Sequence, residues 1–272
     1  MDYFDFHVHS DVSQDSSASM LDMVRAEAQR GVKAMCFTNH CDMIDWHTNL
    51  PDDRCLTVPE RTWEKKRELL EICPKLPIDV RFGLELGEAH YDFERAEAIA
   101  SSCNMDFIIG SVHILKGRGD FAFMTYSSTQ ECEEVYEQYL DELIQLSEHG
   151  VFDVMGHIGY SLRSMKKSGF DVPLTVERGG ERLRTVLANI IDKGRGIEIN
   201  CSGIRDGAEA FPNLEVLKLY SSLGGEILTI GSDAHRPEDA AAGIPDGMEL
   251  AREAGFKYIT LFKDRKPEFI KI

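Results

Sequence analysis

Apolar residues along this chain fall into short dense runs separated by longer stretches in which they recur every three or four positions. The short runs, at 3–8, 34–38, 80–84, 106–110, 152–156, 196–200, 226–230 and 258–262, have the length of strands buried on both faces. The stretches between them carry the helical period. The clearest spans 129–148, where Val135, Tyr139, Leu143 and Leu146 form one stripe, and His149-Gly150 marks its end. A second helix is expected over 175–192, closed by Lys193-Gly194, and a third after Phe211-Pro212. The charged run 60–71 reads as a solvated helix face. Strand and helix alternate without a compositional break, internal repeat or linker, so parallel strands in one sheet or barrel are expected, with 1–272 as a single domain.

Composition narrows the class. With 272 residues and 43% hydrophobic content, the chain can bury the core of one large α/β domain. A net charge of −17 argues against gripping a nucleic-acid backbone through a general basic surface. The seven cysteines include no Cys-x-x-Cys pair, which suggests reduced thiols. No run approaches a membrane span and no basic-then-apolar leader opens the sequence, so a soluble cytoplasmic protein without nucleic-acid or membrane partners is expected.

The candidate chemistry sits where the apolar runs end. His7 and His9 are two apart in the first run and therefore share a face, where two imidazoles can hold one divalent metal. His-x-His alone is a weak signal. Its weight comes from repetition: His40, Glu85, His113, His157 and Asp233-Ala234-His235 each follow or close a strand-like run. In a parallel barrel the active site lies at the C-terminal ends of the strands, where these residues fall. The loops after His40 and His157, running to about Pro59 and Pro173, are long enough to build a substrate pocket. Cys41 and Cys201 read as buried small hydrophobes, and Trp46 as either a lid or a loop anchor. His149 suits a helix end, and His47 and His90 read as ordinary, although His90 and Glu88 follow Glu85 closely enough to touch substrate or protonate a leaving group.

Together His7-x-His9, Asp15, His40, Glu85, His113, His157 and Asp233-x-His235 resemble the metal motifs of the PHP (polymerase and histidinol phosphatase) family along the whole chain. Within it the similarity runs to the monofunctional histidinol-phosphate phosphatases, through Gly110-Ser111-Val112-His113 and the segment 200–205. The resemblance implies a distorted (β/α)7 TIM-like barrel with three metals at the C-terminal strand ends, and it sets the eighth run, near Tyr258, at the periphery. It implies that His7, His9, Glu85 and Asp233 hold one metal, that Glu85 bridges to a second completed by His113 and His157, and that Asp15, His40 and His235 hold a third. Many relatives use His where this chain has Asp15. Zinc, iron and manganese all suit such mixed sites, and the sequence does not choose among them.

The implied activity is hydrolysis of a phosphate monoester, most specifically L-histidinol phosphate, in histidine biosynthesis. Three divalent ions against Asp15, Glu85 and Asp233 would leave about +3 in the pocket, enough to attract a phosphate that carries about −1.5 to −2 near neutral pH. A metal-bridging hydroxide would be the nucleophile, with Glu85, Asp233 and His235 as the catalytic set. Arg163 and Arg205 are candidate phosphate ligands because guanidinium forks match phosphate oxygens, while Glu88 and Asp42 are candidates for the substrate ammonium. Two other readings stay open: a phosphodiesterase or nuclease of the same family, and a non-catalytic metal-stabilised regulator.

Overall fold

The computed structural model describes residues 2–272. Its strands are β1 (Tyr3–Val8), β2 (Val32–His40), β3 (Asp79–Gly87), β4 (Phe107–Ser111), β5 (Ile114–Leu115), β6 (Gly119–Asp120), β7 (Val154–Met155), β8 (Gly196–Asn200), β9 (Leu228–Gly231), β10 (Tyr258–Lys263) and β11 (Lys266–Lys271). Between them lie helices α1 (Met20–Gln29), α2 (Val58–Ile72), α3 (Phe93–Ser102), α4 (Thr129–His149), α5 (Ser161–Lys167), α6 (Val176–Asp192), α7 (Ser202–Arg205), α8 (Leu214–Ser222) and α9 (Ile244–Glu253).

Seven strands form one parallel sheet in the order β1-β2-β3-β4-β7-β8-β9, curled so that its ends meet. The closure is made at the C-terminal rim. His9 N–H donates to the Ala234 carbonyl and Asp233 N–H to the His7 carbonyl, at 2.9 and 2.8 Å. This stitch sets the two ligand motifs at opposite ends of the sequence side by side. Register does the same between β2 and β3, where His40 lies opposite Glu85.

The helices cover the outside for the reason their patterning gives. On α4 the stripe Val135, Tyr139, Leu143 and Leu146 is buried, and the Ser128 hydroxyl caps its first turn by accepting from Glu131 N–H. α2 presents charge outward and buries only Val58, Pro59, Thr62 and Leu69, as expected of the run 60–71.

The eighth run is peripheral, as expected. β10 pairs antiparallel with β11 rather than joining the barrel. The hairpin covers the N-terminal end: Arg81 donates to the Phe262 carbonyl at 2.8 Å, Phe107 and Phe262 stack at 5.0 Å, and Leu228 N–H reaches Thr260 Oγ1. One end of the barrel is thus closed by apolar and ionic contacts, leaving the other for chemistry.

Three details differ from the sequence pattern. The expected strand 152–156 shrinks to Val154–Met155, because Gly156 leads directly into His157, whose backbone is left-handed. Part of the expected loop after His157 winds into α5. The register of β1 against β2 slips between Asp5 and Val8, and Phe6 packs on Phe107 inside the strand ring at 5.7 Å. Simple alternation therefore holds for His7 and His9, which converge on Glu85, but not for Phe6 beside them.

Candidate metal centre

The nine side chains singled out from sequence converge at the open rim as three groups of donor atoms. In the first, His7 Nε2 and His9 Nε2 lie 3.2 and 3.5 Å from Glu85 Oε2, and 3.6 and 3.3 Å from Asp233 Oδ1. These four imidazole–carboxylate separations average about 3.4 Å, the donor spacing around a tetrahedral cation with bonds of about 2.1 Å. In the second, Glu85 Oε1 lies 3.0 Å from His113 Nε2 and 2.8 Å from His157 Nε2, which are 3.2 Å apart. In the third, Asp15 Oδ2 lies 3.6 Å from His40 Nε2 and 3.0 Å from His235 Nε2, themselves 3.4 Å apart. Glu85 turns one oxygen to the first group and the other to the second, and so ties them together.

These donor sets fit divalent metal ions. His7 Nε2, His9 Nε2 and Glu85 Oε2 are buried without a hydrogen-bond partner in the protein, a costly state for converging lone pairs unless a cation takes them up. Three of the opposite ring nitrogens are engaged, whereas His157 Nδ1 has no hydrogen-bond partner among the described residues. His7 Nδ1 lies 2.6 Å from Glu198 Oε1, His9 Nδ1 2.9 Å from Ser13 Oγ, and His113 Nδ1 3.2 Å from Asp42 Oδ1. Partners on the far nitrogen fix the ring and present the other lone pair to a metal. Ser111 Oγ donates to Glu85 Oε1 at 2.7 Å.

The electrostatics follow from packing imidazoles against carboxylates out of water. Burial alone would suppress charge on His7, but Glu198, Glu85 and Asp233 outweigh it and raise its pKa well above the ordinary histidine value. His40 and His113 are raised in the same way, chiefly by Glu85. Burial opposes ionisation of Glu85 and Asp233 too, yet the neighbouring histidines hold both well below the usual carboxylate range. Burial pushes His9 down to about 3, helped by the charges of His235 and His40. Asp15 is lowered despite partial burial by hydrogen bonds from His235 and His40. Two of the donor residues, His157 and Asp233, hold left-handed backbone conformations (φ 23° and 57°), which a branched network of contacts must maintain.

Above the three groups opens a cavity of about 540 Å³. Trp46, Phe123 and Tyr160 give it an aromatic wall, and Arg163 and Arg205 line it as expected. Arg205 is oriented by donating to the carbonyls of Ser232 and Asp233, and Arg163 is braced by Asp206. Trp46 is both wall and anchor, since its Nε1 donates to Asp42 Oδ2 at 2.9 Å.

Glu88 is placed differently from the expectation. It does not line the cavity; its carboxylate is fully buried and accepts from the backbone N–H groups of His113 and Ile114, at 2.6 and 3.1 Å. Burial, aided by the charge of Asp42, pushes it up to about 8. Its geometry is that of a clamp on the His113 backbone, not of a substrate contact. Asp42, also named for the ammonium, is buried and committed to Trp46 and His113. The acidic groups that do face the cavity beside the ligands are Asp120 and Asp239. His90 is buried against Glu142 at 2.6 Å, away from the cavity, and His149 is exposed at the end of α4. Cys41 and Cys201 are buried and free and join no group of metal donors among the described residues.

Sequence reading missed Glu198, and it named Asn200 only within the segment 200–205, without a role. Glu198 bonds His7 Nδ1 and also accepts from His157 N–H at 2.9 Å, so it positions a donor residue of the first group and one of the second. Asn200 Nδ2 lies 3.3 Å from Asp233 Oδ2. The available signal was a carboxylate inside the otherwise apolar run Gly196-Ile197-Glu198-Ile199.

With this geometry in view, the similarities are informative. The PHP domain family matches residues 5–202. The histidinol-phosphatase of Lactococcus lactis is 27% identical over 98% of this chain and 96% of its own length. A probable histidinol-phosphatase of Deinococcus radiodurans is 27% identical over 96% and 97%. Among solved structures, the L. lactis histidinol phosphate phosphatase, complexed with zinc, L-histidinol and phosphate, superimposes with a TM-score of 0.79 at 23% identity, covering 98% of both chains. A putative histidinol phosphatase from Listeria monocytogenes gives 0.69 at 18% identity, over 89% of this chain and 99% of that one. Both share the fold described above.

Proposed function

This chain belongs to the PHP domain family, and from that premise we propose that it is a histidinol-phosphatase, a metal-dependent phosphomonoesterase that converts L-histidinol phosphate to L-histidinol and phosphate. The observation that carries this reading is the meeting of three donor groups around Glu85 at the floor of a small cavity with two arginines in its wall. Relatives bearing that name over nearly their whole length support it. All of 1–272 serves one catalytic unit, with the β10–β11 hairpin as the base of the barrel.

His7, His9, Glu85 and Asp233 would hold one ion, Glu85, His113 and His157 a second, and Asp15, His40 and His235 a third. Zinc suits the donor set, and iron and manganese suit it as well. Bound divalent ions supply charge for the phosphoryl oxygens and lower the pKa of water from 15.7 towards roughly 7.

The protein's own groups do the rest. Glu85 fixes the separation of the first two positions through its two oxygens. Asp233 lies 3.7 Å from His235 Nδ1 as well as beside His7 and His9, linking the first position to the third. His235 stands at the rim with Asp15, where the leaving oxygen of a bound ester would emerge. Arg205, held by two backbone carbonyls, and Arg163 address phosphate oxygens, since guanidinium forks suit that geometry. Asp120 and Asp239 can meet the substrate ammonium, and Trp46 and Phe123 its ring. A small phosphorylated amino alcohol fits this distribution of charge.

The direct test is phosphate release from histidinol phosphate by the metal-loaded protein, with and without a chelator. Rapid release abolished by chelation is expected, and a fully metallated protein without turnover on this ester would refute the assignment.

A further inference from the structure

Beside the metal cavity lies a second, larger one of about 690 Å³, a volume typical of small-molecule sites. It opens between α5, with the segment that follows it, and the segment 203–213. Its floor is apolar: Leu162, Val172, Leu174, Ala210 and Phe211 are each less than a tenth exposed. Its rim is charged in both senses, with Lys166 and Lys167 from α5 and Asp171 and Glu209 from the flanking segments. The side chains of Lys166, Lys167 and Asp171 make no hydrogen bond or ion pair among the described residues. The two cavities share one residue, Arg163, which pairs with Asp206 of the second cavity. Arg163 Nε is buried without a partner.

We propose that this second cavity binds a free amino acid with an apolar side chain, and that the Arg163–Asp206 pair couples its occupancy to phosphate binding. An apolar floor takes the side chain, the lysines the carboxylate and the acidic groups the ammonium. A zwitterion suits the lining because three basic groups (Arg163, Lys166, Lys167) face three acidic ones (Asp171, Asp206, Glu209). An anion alone would leave those carboxylates unanswered, and a purely apolar ligand would leave the whole rim so. The coupling has a definite sign. Asp206 and a phosphate in the metal cavity compete for Arg163, so an ammonium that engages Asp206 frees Arg163 and tightens phosphate. By linkage, phosphate tightens the amino acid by the same factor. The coupling rests on the phosphatase reading, whereas the binding does not.

The test is calorimetry on the metal-loaded protein with L-phenylalanine, L-leucine and L-methionine, each beside its N-acetyl and amide derivatives. At least one free amino acid should bind, and its blocked derivatives should bind at least about tenfold more weakly, a loss of roughly 1.4 kcal/mol. Ala208→Trp, which fills the cavity at its rim, should abolish binding while leaving metal content and turnover intact. Lys166→Glu with Lys167→Glu should do the same without adding bulk. Saturating amino acid should tighten inorganic phosphate about threefold, and Asp206→Asn should erase that effect. No heat from any of the three at about 10 mM, or heat that survives both variants, would overturn the site. Phosphate affinity that stays level or falls would overturn the coupling even if the amino acid binds.

Discussion

Glu198 Oε1 lies 2.6 Å from His7 Nδ1, while the other oxygen of the same carboxylate accepts the backbone N–H of His157. One buried acid thus orients a side chain of the first donor group and fixes the backbone of a residue of the second. Glu198→Gln keeps the shape and removes the charge. Metal affinity or turnover should fall about 10–100-fold while the fold survives, because partners on the far nitrogen set ligand basicity. Elemental analysis alongside far-UV circular dichroism would show it, and wild-type metal retention would remove Glu198 from the positioning role.

Ligand and substrate roles should separate. His7→Ala and Asp233→Ala each delete a donor, so metal content and turnover should collapse together. Arg205→Ala should keep the metals and raise KM for the phosphate ester, since that guanidinium is anchored on carbonyls and touches no donor. Protein purified without chelator should carry about three, and no fewer than about two, equivalents of transition metal per chain. A well-folded preparation with one or none would end the multinuclear reading.

Metal uptake should release protons. The folded-state pKa values of His7, His40 and His113 are raised, so without metal these rings stay protonated above the ordinary histidine value of about 6.5. Their pairing with carboxylates stabilises the metal-free fold fully below that value, and the contribution fades as pH climbs through the raised ones. Cations must displace those protons, so affinity should increase with pH. Titrations in two buffers of different ionisation enthalpy would reveal the release, and identical heats would contradict it.

Substrate choice should be sharp. Histidinol phosphate should exceed nucleoside monophosphates and a generic aryl phosphate in kcat/KM by at least about a hundredfold, or roughly 2.7 kcal/mol. A site that pairs an ammonium with the buried Asp120 leaves that carboxylate short of a partner when the ester lacks one. Faster cleavage of a dinucleotide would move the assignment to a phosphodiesterase.

Gly83→Ala should destabilise the barrel without touching chemistry directly. A Cβ there would overlap the Phe107 carbonyl oxygen on the neighbouring strand, a backbone atom that cannot step aside. The loss should be about 1–3 kcal/mol, visible as a lowered Tm. An unchanged Tm would mean that β3 and β4 have room to part.

The legible parts of this protein were those written in local pattern. The period of α4, the run of β8 and eight of the donors, at or just past strand ends, announce themselves because each uses a residue type unusual for its surroundings, whereas Asp15, in the loop between β1 and α1, entered only through the family resemblance. What stayed hidden depends on contacts far apart in sequence. Glu198 meets His7 across 191 positions, and nothing local says that an acid inside a strand faces an imidazole rather than a helix. Glu88 shows the converse: it follows Glu85 by three, yet a left-handed backbone (φ 55°) turns it beneath His113 instead of into the cavity. Sequence proximity placed it near the site, and only the turn decided which side of the wall it occupies.

The nine donors are not equally sheltered. His7, His9 and Glu85 are sealed from solvent, whereas the side chain of Asp15 is 38% exposed and that of His235 23%. An ion held by Asp15, His40 and His235 would therefore meet the surrounding medium more readily than one held around Glu85, and dialysis against a chelator should strip that rim position first.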